Sequence, residues 1–179
     1  MGVKIIPVLG FVAPSGSGKT TLVRQLVAIL SGRGLRVGYL KHAHHRFDLD
    51  VPGKDSYQAR EAGARQTLLA SKARWALQVE SPVPGKDPDL KEMLAKFDAD
   101  CLDLVLVEGF KHARYPKVEV FRPALRQPPL YPGDPSIIAV ATDARIAHQP
   151  PAIVLPLNEP ETVADFVLSR LDEIRLRIP

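Results

Sequence analysis

The stretch Ile5-Ile6-Pro7-Val8-Leu9-Gly10-Phe11-Val12-Ala13-Pro14-Ser15-Gly16-Ser17-Gly18-Lys19-Thr20-Thr21 decides the fold. An apolar run of strand length enters a short loop with two glycines. Leu22, Val23, Leu26, Val27, Ile29 and Leu30 then recur at helical spacing until Gly32 and Gly34 stop the helix. Strand, glycine loop and helix in succession form the context of a phosphate-binding loop. Gly16 and Gly18 let the backbone turn sharply, so that N–H groups from Ser15, Gly16, Ser17, Gly18, Lys19, Thr20 and Thr21 can converge on phosphate oxygens. Lys19 supplies a point charge for β- and γ-phosphates, and the Thr20 hydroxyl can ligate Mg²⁺. The helix points its positive end at the same anion. One position departs from G-x-x-x-x-G-K-[ST]: Ala13 stands where the first glycine is usual, which fits if that residue needs no positive φ. A Gly/Ser turn capping an ordinary helix is the plainer alternative, and the flanks outweigh it. The motif predicts a nucleoside triphosphate ligand.

Around this unit the chain keeps alternating. Leu35–Leu40 reads as a buried strand, joined by a compact crossover and therefore parallel to the first. A polar loop rich in His and Asp follows from Lys41 to Lys54, and Asp55 with Gln58 marks a helix to about Gly63. Residues 66–71 and 74–80 read as strands. After breaks at Pro82, Pro84 and Gly85, Asp87-Pro88 opens a helix carrying Leu90, Met93, Leu94 and Phe97. Leu102–Val107 is a continuous apolar strand ending in Glu108-Gly109, and residues 117–121, 137–141 and 153–157 read as further strands. Between them, Arg122–Pro135 holds Pro123, Pro128, Pro129, Pro132 and Pro135 and reads as a semi-rigid loop. Asn158, with Glu161 three later, caps a last helix bearing Val163, Phe166, Val167, Leu171 and Ile174. Buried, unalternating strands between helices predict a three-layer α/β fold of the P-loop NTPase type, a mostly parallel sheet flanked by helices, as one nucleotide-binding domain over residues 1–179.

Composition agrees with such a chain and narrows its partners. Of 179 residues, 45% are apolar and 25% charged, ordinary values for a globular domain. The net charge of +4 comes from scattered basic residues without aromatic interleaving, which suits a polyphosphate pocket rather than nucleic acid. A single cysteine, Cys101, excludes an intrachain disulfide and a cysteine metal cage and fits a reducing cytoplasm. Lys4 and the apolar run after it do not read as a leader, since cleavage there would cut into the phosphate loop. No apolar stretch approaches the roughly 20 residues of a membrane span.

Ligands of such sheets sit beyond the carboxyl ends of the strands, so site residues are sought there. Glu108 can hold Mg²⁺ through water or orient the attacking water, and Gly109 lets the backbone leave sharply or approach a ligand. In the loop after the second strand, Asp48 and Asp50 can face one side, with Asp50 reaching the metal, while Lys41 and Arg46 add positive charge. His42, His44 and His45 have no cysteine near them and no sure fourth ligand, and read as polar loop residues near substrate. Thr142-Asp143 closes a late strand, where the base lies in doubly wound nucleotide folds. An aspartate there can accept from guanine N1–H and N2–H₂ together, whereas adenine presents a lone pair at N1. Asp143 thus favours guanine, although the Asn-Lys-x-Asp signature of GTPases is absent.

Together these segments resemble a known family. The loop of residues 13–21, Lys41-His42-Ala43-His44-His45, Asp48-Leu49-Asp50 with Pro52-Gly53-Lys54-Asp55-Ser56, Arg74-Trp75-Ala76-Leu77, and Leu106-Val107-Glu108-Gly109-Phe110-Lys111 are similar to molybdopterin-guanine dinucleotide biosynthesis protein B over nearly the whole chain. The resemblance implies a GTP-binding, weakly hydrolysing homodimer that assists the guanylyltransferase joining GMP to molybdopterin. It is weakest in Arg122–Pro135. Two other classes stay open: a small-molecule kinase with Asp50 as base, and a non-catalytic adaptor carrying nucleotide as a structural ligand. No arginine finger is identifiable near the phosphate motifs, which predicts slow turnover.

Overall fold

The structure is a computed structural model and describes residues 4–43, 47–81, 83, 85–146 and 153–178. The expectations for His44, His45, Arg46, Pro82 and Pro84 fall outside these residues. The chain forms two compact units, one of Met1–His42 with Pro88–Pro179 and one of Ala43–Asp87.

The first unit is organised by β1 (Lys4–Val12), whose two edges serve three other strands. One edge carries β5 (Leu104–Glu108), parallel and in register from Val8 opposite Val105 to Phe11 opposite Glu108. Pro7, which has no N–H, sits just ahead of that ladder. The other edge is divided. Its first half pairs antiparallel with β9 (Arg175–Ile178), and its second half pairs parallel with β6 (Lys117–Phe121). β2 (Val37–Lys41) extends the sheet beyond β5, while β7 (Ile137–Thr142) and β8 (Ile153–Pro156) extend it beyond β6. Every pairing except β9 is parallel, so the expected three-layer α/β fold is the one found.

Period-2 alternation sorts the strands' side chains onto two faces. Leu9 and Phe11 of β1, Leu104 and Leu106 of β5, and Val118 and Val120 of β6 pack on one face. They meet Leu22, Leu26 and Leu30 of α1 (Lys19–Gly32) and Val163 and Val167 of α4 (Pro160–Ser169). Arg33, just past α1, bonds Glu161 and Asp165 and straps the two helices together. The opposite face carries Ile6, Val8, Val105 and Val107 against Leu90 and Leu94 of the short α3 (Leu90–Leu94).

The rest of that second face is covered by the proline-rich segment, which buried charges hold down. Glu119 is wholly buried and accepts from the backbone N–H groups of Leu130 and Tyr131, both at 2.8 Å. Lys117, 1% exposed, donates to the carbonyls of Lys111 and Ala113 and lies 2.6 Å from Asp134. Burial pushes the Glu119 carboxyl above its ordinary value, against the pull of the two N–H donors. Asp134 is pushed up by partial burial, but its bonds from Lys117 and Ser136 win and hold it below the usual carboxylate value.

Two expectations change at the chain's end. The last helix is flanked by Glu159, with Pro160 as its first residue, and stops at Ser169, so Leu171 and Ile174 lie beyond it. Residues 175–178 form a strand where no strand is expected. The helix expected from Asp87 is the single turn α3, capped by Asp89 accepting from the N–H groups of Lys91 and Glu92.

The second unit is a short helix, α2 (Asp55–Glu61), and an antiparallel hairpin of β3 (Gln66–Ala70) and β4 (Trp75–Val79). Arg60 organises it, pairing with Asp48 and Glu80 and lying over the Tyr57 ring. Its helix and strands contain no buried residue, and Leu68, Trp75, Leu77 and Val79 are all exposed.

Asp134→Ala leaves the Lys117 ammonium buried without its counter-charge; because Asp134 is 28% exposed and Lys117 keeps two carbonyl acceptors, the cost should fall below the roughly 3–5 kcal/mol of a fully buried pair. Urea denaturation should show a lower midpoint for this variant, with little change from an exposed control such as Asp172→Ala.

Candidate functional site

The loop between β1 and α1 has the backbone that the glycines predict. Gly16 and Gly18 have φ of 78° and 89°, and Ala13 is not among the residues of positive φ. Gly18 stands at the N-cap of α1 without a side-chain cap, leaving the first amides of the helix to a ligand. Ser17 is 1% exposed, and its Oγ has no hydrogen-bond partner among the described residues. A buried hydroxyl without a partner is costly unless something else meets it.

Alternation along β5 turns Glu108 to the same face as Leu104 and Leu106, beneath the start of α1. Its carboxylate is 5% exposed. Oε1 accepts from Thr20 Oγ1 at 2.7 Å, and Oε2 accepts from the Tyr39 hydroxyl at 2.8 Å. Lys41 Nζ lies 3.6 Å from Oε1. β2 delivers both Tyr39 and Lys41, two residues apart on one face, with Lys41 directly opposite Glu108 in register. Burial pushes Glu108 up, but the bonds from Thr20 and Tyr39 and the charges of Lys41 and Lys19 outweigh it, so its value falls below the ordinary one. Lys19 moves down, chiefly through burial and also through Lys41, with Glu108 opposing. Burial and the bond to Glu108 push the Tyr39 hydroxyl far up, so it stays a donor.

These groups suit a hard cation beside an anion. Thr20 and Glu108 present two oxygens at hydrogen-bond distance, the donor type Mg²⁺ takes. Lys19, the uncapped helix amides and the unpaired Ser17 hydroxyl are groups of the kind that a phosphate takes. The residues therefore fit a Mg²⁺–polyphosphate group.

Gly109 follows with φ of 99°, and a Cβ there would come within 2.9 Å of His42 Cβ. Its N–H donates to the Phe11 carbonyl, so what it visibly provides is the sharp exit of the strand. His42 stacks on Phe110 with ring centres 4.7 Å apart. Asp143, at the end of β7, is ion-paired with Arg122. Arg122 Nε also donates to the Ser17 carbonyl at 2.8 Å, so an arginine lies against the phosphate loop, bonded to its backbone. An open cleft of about 900 Å³ beyond β7 and β8 is lined by Asp143, Arg145, Leu157, Asn158 and Glu159. Asp50 belongs to the second unit, where Oδ1 accepts from the Val51 N–H and Oδ2 is buried with no partner among the described residues. Among the described residues no group of three His, Cys, Asp or Glu side chains is placed to hold a metal.

Thr20, Lys19 and Glu108 are thus brought together as expected, while Tyr39 was missed and Arg122, considered in sequence only with Arg126 as a lid arginine, was not foreseen on the phosphate loop. Arg122 directly follows a buried strand, and the strand-end rule that singled out Glu108 and Asp143 would have reached it too. Tyr39 needed the register of β2 on β5, which no local pattern carries.

Tyr39→Phe removes one of the bonds that hold Glu108 down. The Glu108 titration midpoint, followed by carboxyl NMR, should rise. Because the ionised form is the one that holds a cation, Mn²⁺ binding should begin to fail at a higher pH than in the parent protein.

A sequence model of the family described as "Molybdopterin guanine dinucleotide synthesis protein B" matches residues 8–143, which include the phosphate loop, Glu108 and Asp143. The chain is 45% identical over 168 residues to the molybdopterin-guanine dinucleotide biosynthesis adapter protein of Escherichia coli (strain K12), covering 93% of this chain and 94% of that one. It is 40% identical over 162 residues to the adapter protein of Haemophilus influenzae, covering 90% and 88%. Among solved structures, Bacillus subtilis MobB matches with a TM-score of 0.72 at 28% identity, over 93% of this chain and 98% of that one. With a fold, a phosphate loop and a match over most of its length all in agreement, the chain belongs to the molybdopterin-guanine dinucleotide biosynthesis protein B family.

Proposed function

We propose that this protein binds GTP with Mg²⁺ at residues 13–21, hydrolyses it slowly, and acts in the cytoplasm as a homodimeric adapter for the molybdopterin guanylyltransferase. The observation that carries the nucleotide reading is the Thr20–Glu108 hydrogen bond of 2.7 Å beside Lys19 at the start of α1. Thr20 and Glu108 would hold the cation, and the loop amides from Ser15 to Thr21 with Lys19 would hold the phosphates. Mg²⁺ bound there neutralises charge on the β- and γ-phosphates. Glu108, kept ionised by its neighbours, orients the attacking water, and Asp50 is assigned the same task by its place in the sequence. Asp143 reads guanine through paired acceptors.

Slow turnover follows from what surrounds the phosphates. Arg122 already bonds the Ser17 carbonyl and Asp143 and is not poised as a finger for transition-state charge. P-loop GTPases without a supplied arginine turn over at roughly 10⁻⁴ to 10⁻³ per second. Such a rate suits an adapter, and the E. coli and H. influenzae relatives are described as adapter proteins. The hairpin supports the homodimer. An isolated two-stranded hairpin is marginal in water, and apolar side chains as open as Trp75 at 71% and Leu68 at 63% call for a covering surface. A second copy of the same hairpin is self-complementary to it.

GTP and ATP binding and phosphate release, measured side by side, test this reading. Lys19→Ala should weaken GTP binding about tenfold or more, on the order of 1.4 kcal/mol. Glu108→Gln should bind GTP while turning it over far more slowly. Equal affinity for GTP and ATP would remove the guanine assignment, and rapid phosphorylation of a small acceptor would point to a kinase. For the assembly, Leu77→Asp puts a charge on the exposed hairpin and should convert dimer to monomer in light scattering, with the secondary structure retained. A parent protein that is monomeric at micromolar concentration would reject the dimer.

A further inference from the structure

We propose that Arg122 is a positioning residue that clasps the phosphate loop to the base side of the site, so that Asp143 influences phosphate binding even for a ligand with no base. The inference rests on the nucleotide reading above and adds a coupling within that site. Its origin is topological. β6 lies between β1, which leads into the phosphate loop, and β7, which Asp143 directly follows. The residue immediately after β6 therefore emerges between the two.

That residue is Arg122, and its fork is divided between the neighbours. Nε donates to the Ser17 carbonyl at 2.8 Å, and Nη1 pairs with Asp143 Oδ2. The two side chains are 31% and 23% exposed, so the pair is only partly screened. Nη2 lies 3.4 Å from where a Cβ on Gly18 would stand, an ordinary van der Waals distance, so the guanidinium rests against the loop at Gly18.

The bond to Ser17 has a consequence for the ligand side. In a planar trans peptide the C=O and the following N–H point in opposite directions. A carbonyl of Ser17 drawn toward Arg122 therefore turns the Gly18 N–H away from Arg122. That amide belongs to the loop whose N–H groups are read as phosphate donors. Asp143 fixes the guanidinium and the guanidinium fixes the Ser17–Gly18 peptide. A lysine cannot replace it, because an ammonium on a flexible stem lacks the rigid fork that spans two acceptors.

The test uses Mg²⁺ with tripolyphosphate, which has no base, on the full-length protein by calorimetry. Arg122→Ala and Asp143→Asn should each weaken binding about fivefold or more, as for a coupling of about 1 kcal/mol. The double variant should be no worse than Arg122→Ala, and Arg122→Lys should fail to restore affinity. If Asp143→Asn leaves tripolyphosphate binding unchanged or tighter while altering GTP against ATP preference, the two residues act separately and the clasp is wrong. Amide exchange at residues 17–19 in ligand-free protein decides independently of any nucleotide. Arg122→Ala should speed it about tenfold through easier local opening, and unchanged exchange would overturn the clasp. A parent protein that binds no tripolyphosphate, together with faster exchange in Arg122→Ala than in the parent, would reject the nucleotide reading and leave the clasp standing.

Discussion

The divided edge of β1 is the constraint on which the first unit depends. A nine-residue strand gives one side to β5 and splits the other between β9 and β6. Its carboxyl end is consequently enclosed by parallel neighbours on both sides, and the chain leaves it into the glycine loop at the point where β5 ends in Glu108. A helix start, a buried carboxylate and a hydroxyl meet there because parallel strands end together. Gly10 shows how closely this centre is packed: a Cβ on it would lie 2.5 Å from the Tyr115 hydroxyl, whose own bond goes to the Gly109 carbonyl.

Charge is used in two distinct ways within the same sheet. At the carboxyl end, Glu108 stays ionised because Thr20, Tyr39, Lys41 and Lys19 together outweigh its burial. Its neighbours are groups that a cation or a phosphate could replace or join. On the far face, Lys117 and Glu119 are also buried, but Glu119 is met by two N–H groups of the proline-rich segment, and Lys117 by Asp134 of that segment and by the carbonyls of Lys111 and Ala113 ahead of it. Those bonds hold the proline-rich segment, which makes a single 3₁₀ turn at Pro123–Leu125, against β6. Buried charge alone therefore marks neither site nor scaffold. The identity of its partners separates the two.

Arg122 joins these two regions, standing where the proline-rich segment begins and reaching back to Ser17. The proline-rich segment is thus tied at one end to the phosphate loop and along its length to buried charges of β6. The second unit has the opposite character, with a hairpin whose apolar side chains lie open.

Much of this was readable in the chain itself. The apolar run at 5–12, the two glycines and the helical spacing after Lys19 specify strand, loop and helix because they are local patterns of conformation and burial. The same reading placed Glu108 at a strand end and Asp143 at another. The strand at 175–178 was not readable, since Arg-Leu-Arg-Ile is too short for periodicity to count and its partner is the other end of the chain. The last helix was overextended for a related reason: Ile174 is buried beneath the sheet, not on a helix face, and burial alone mimics the helical pattern. Tyr39 on Glu108 and Arg122 on Ser17 depend on which strands lie side by side. Strand order and register arise from contacts between residues 69 and 105 positions apart. Such contacts leave no trace in local spacing, so only the folded sheet decided them.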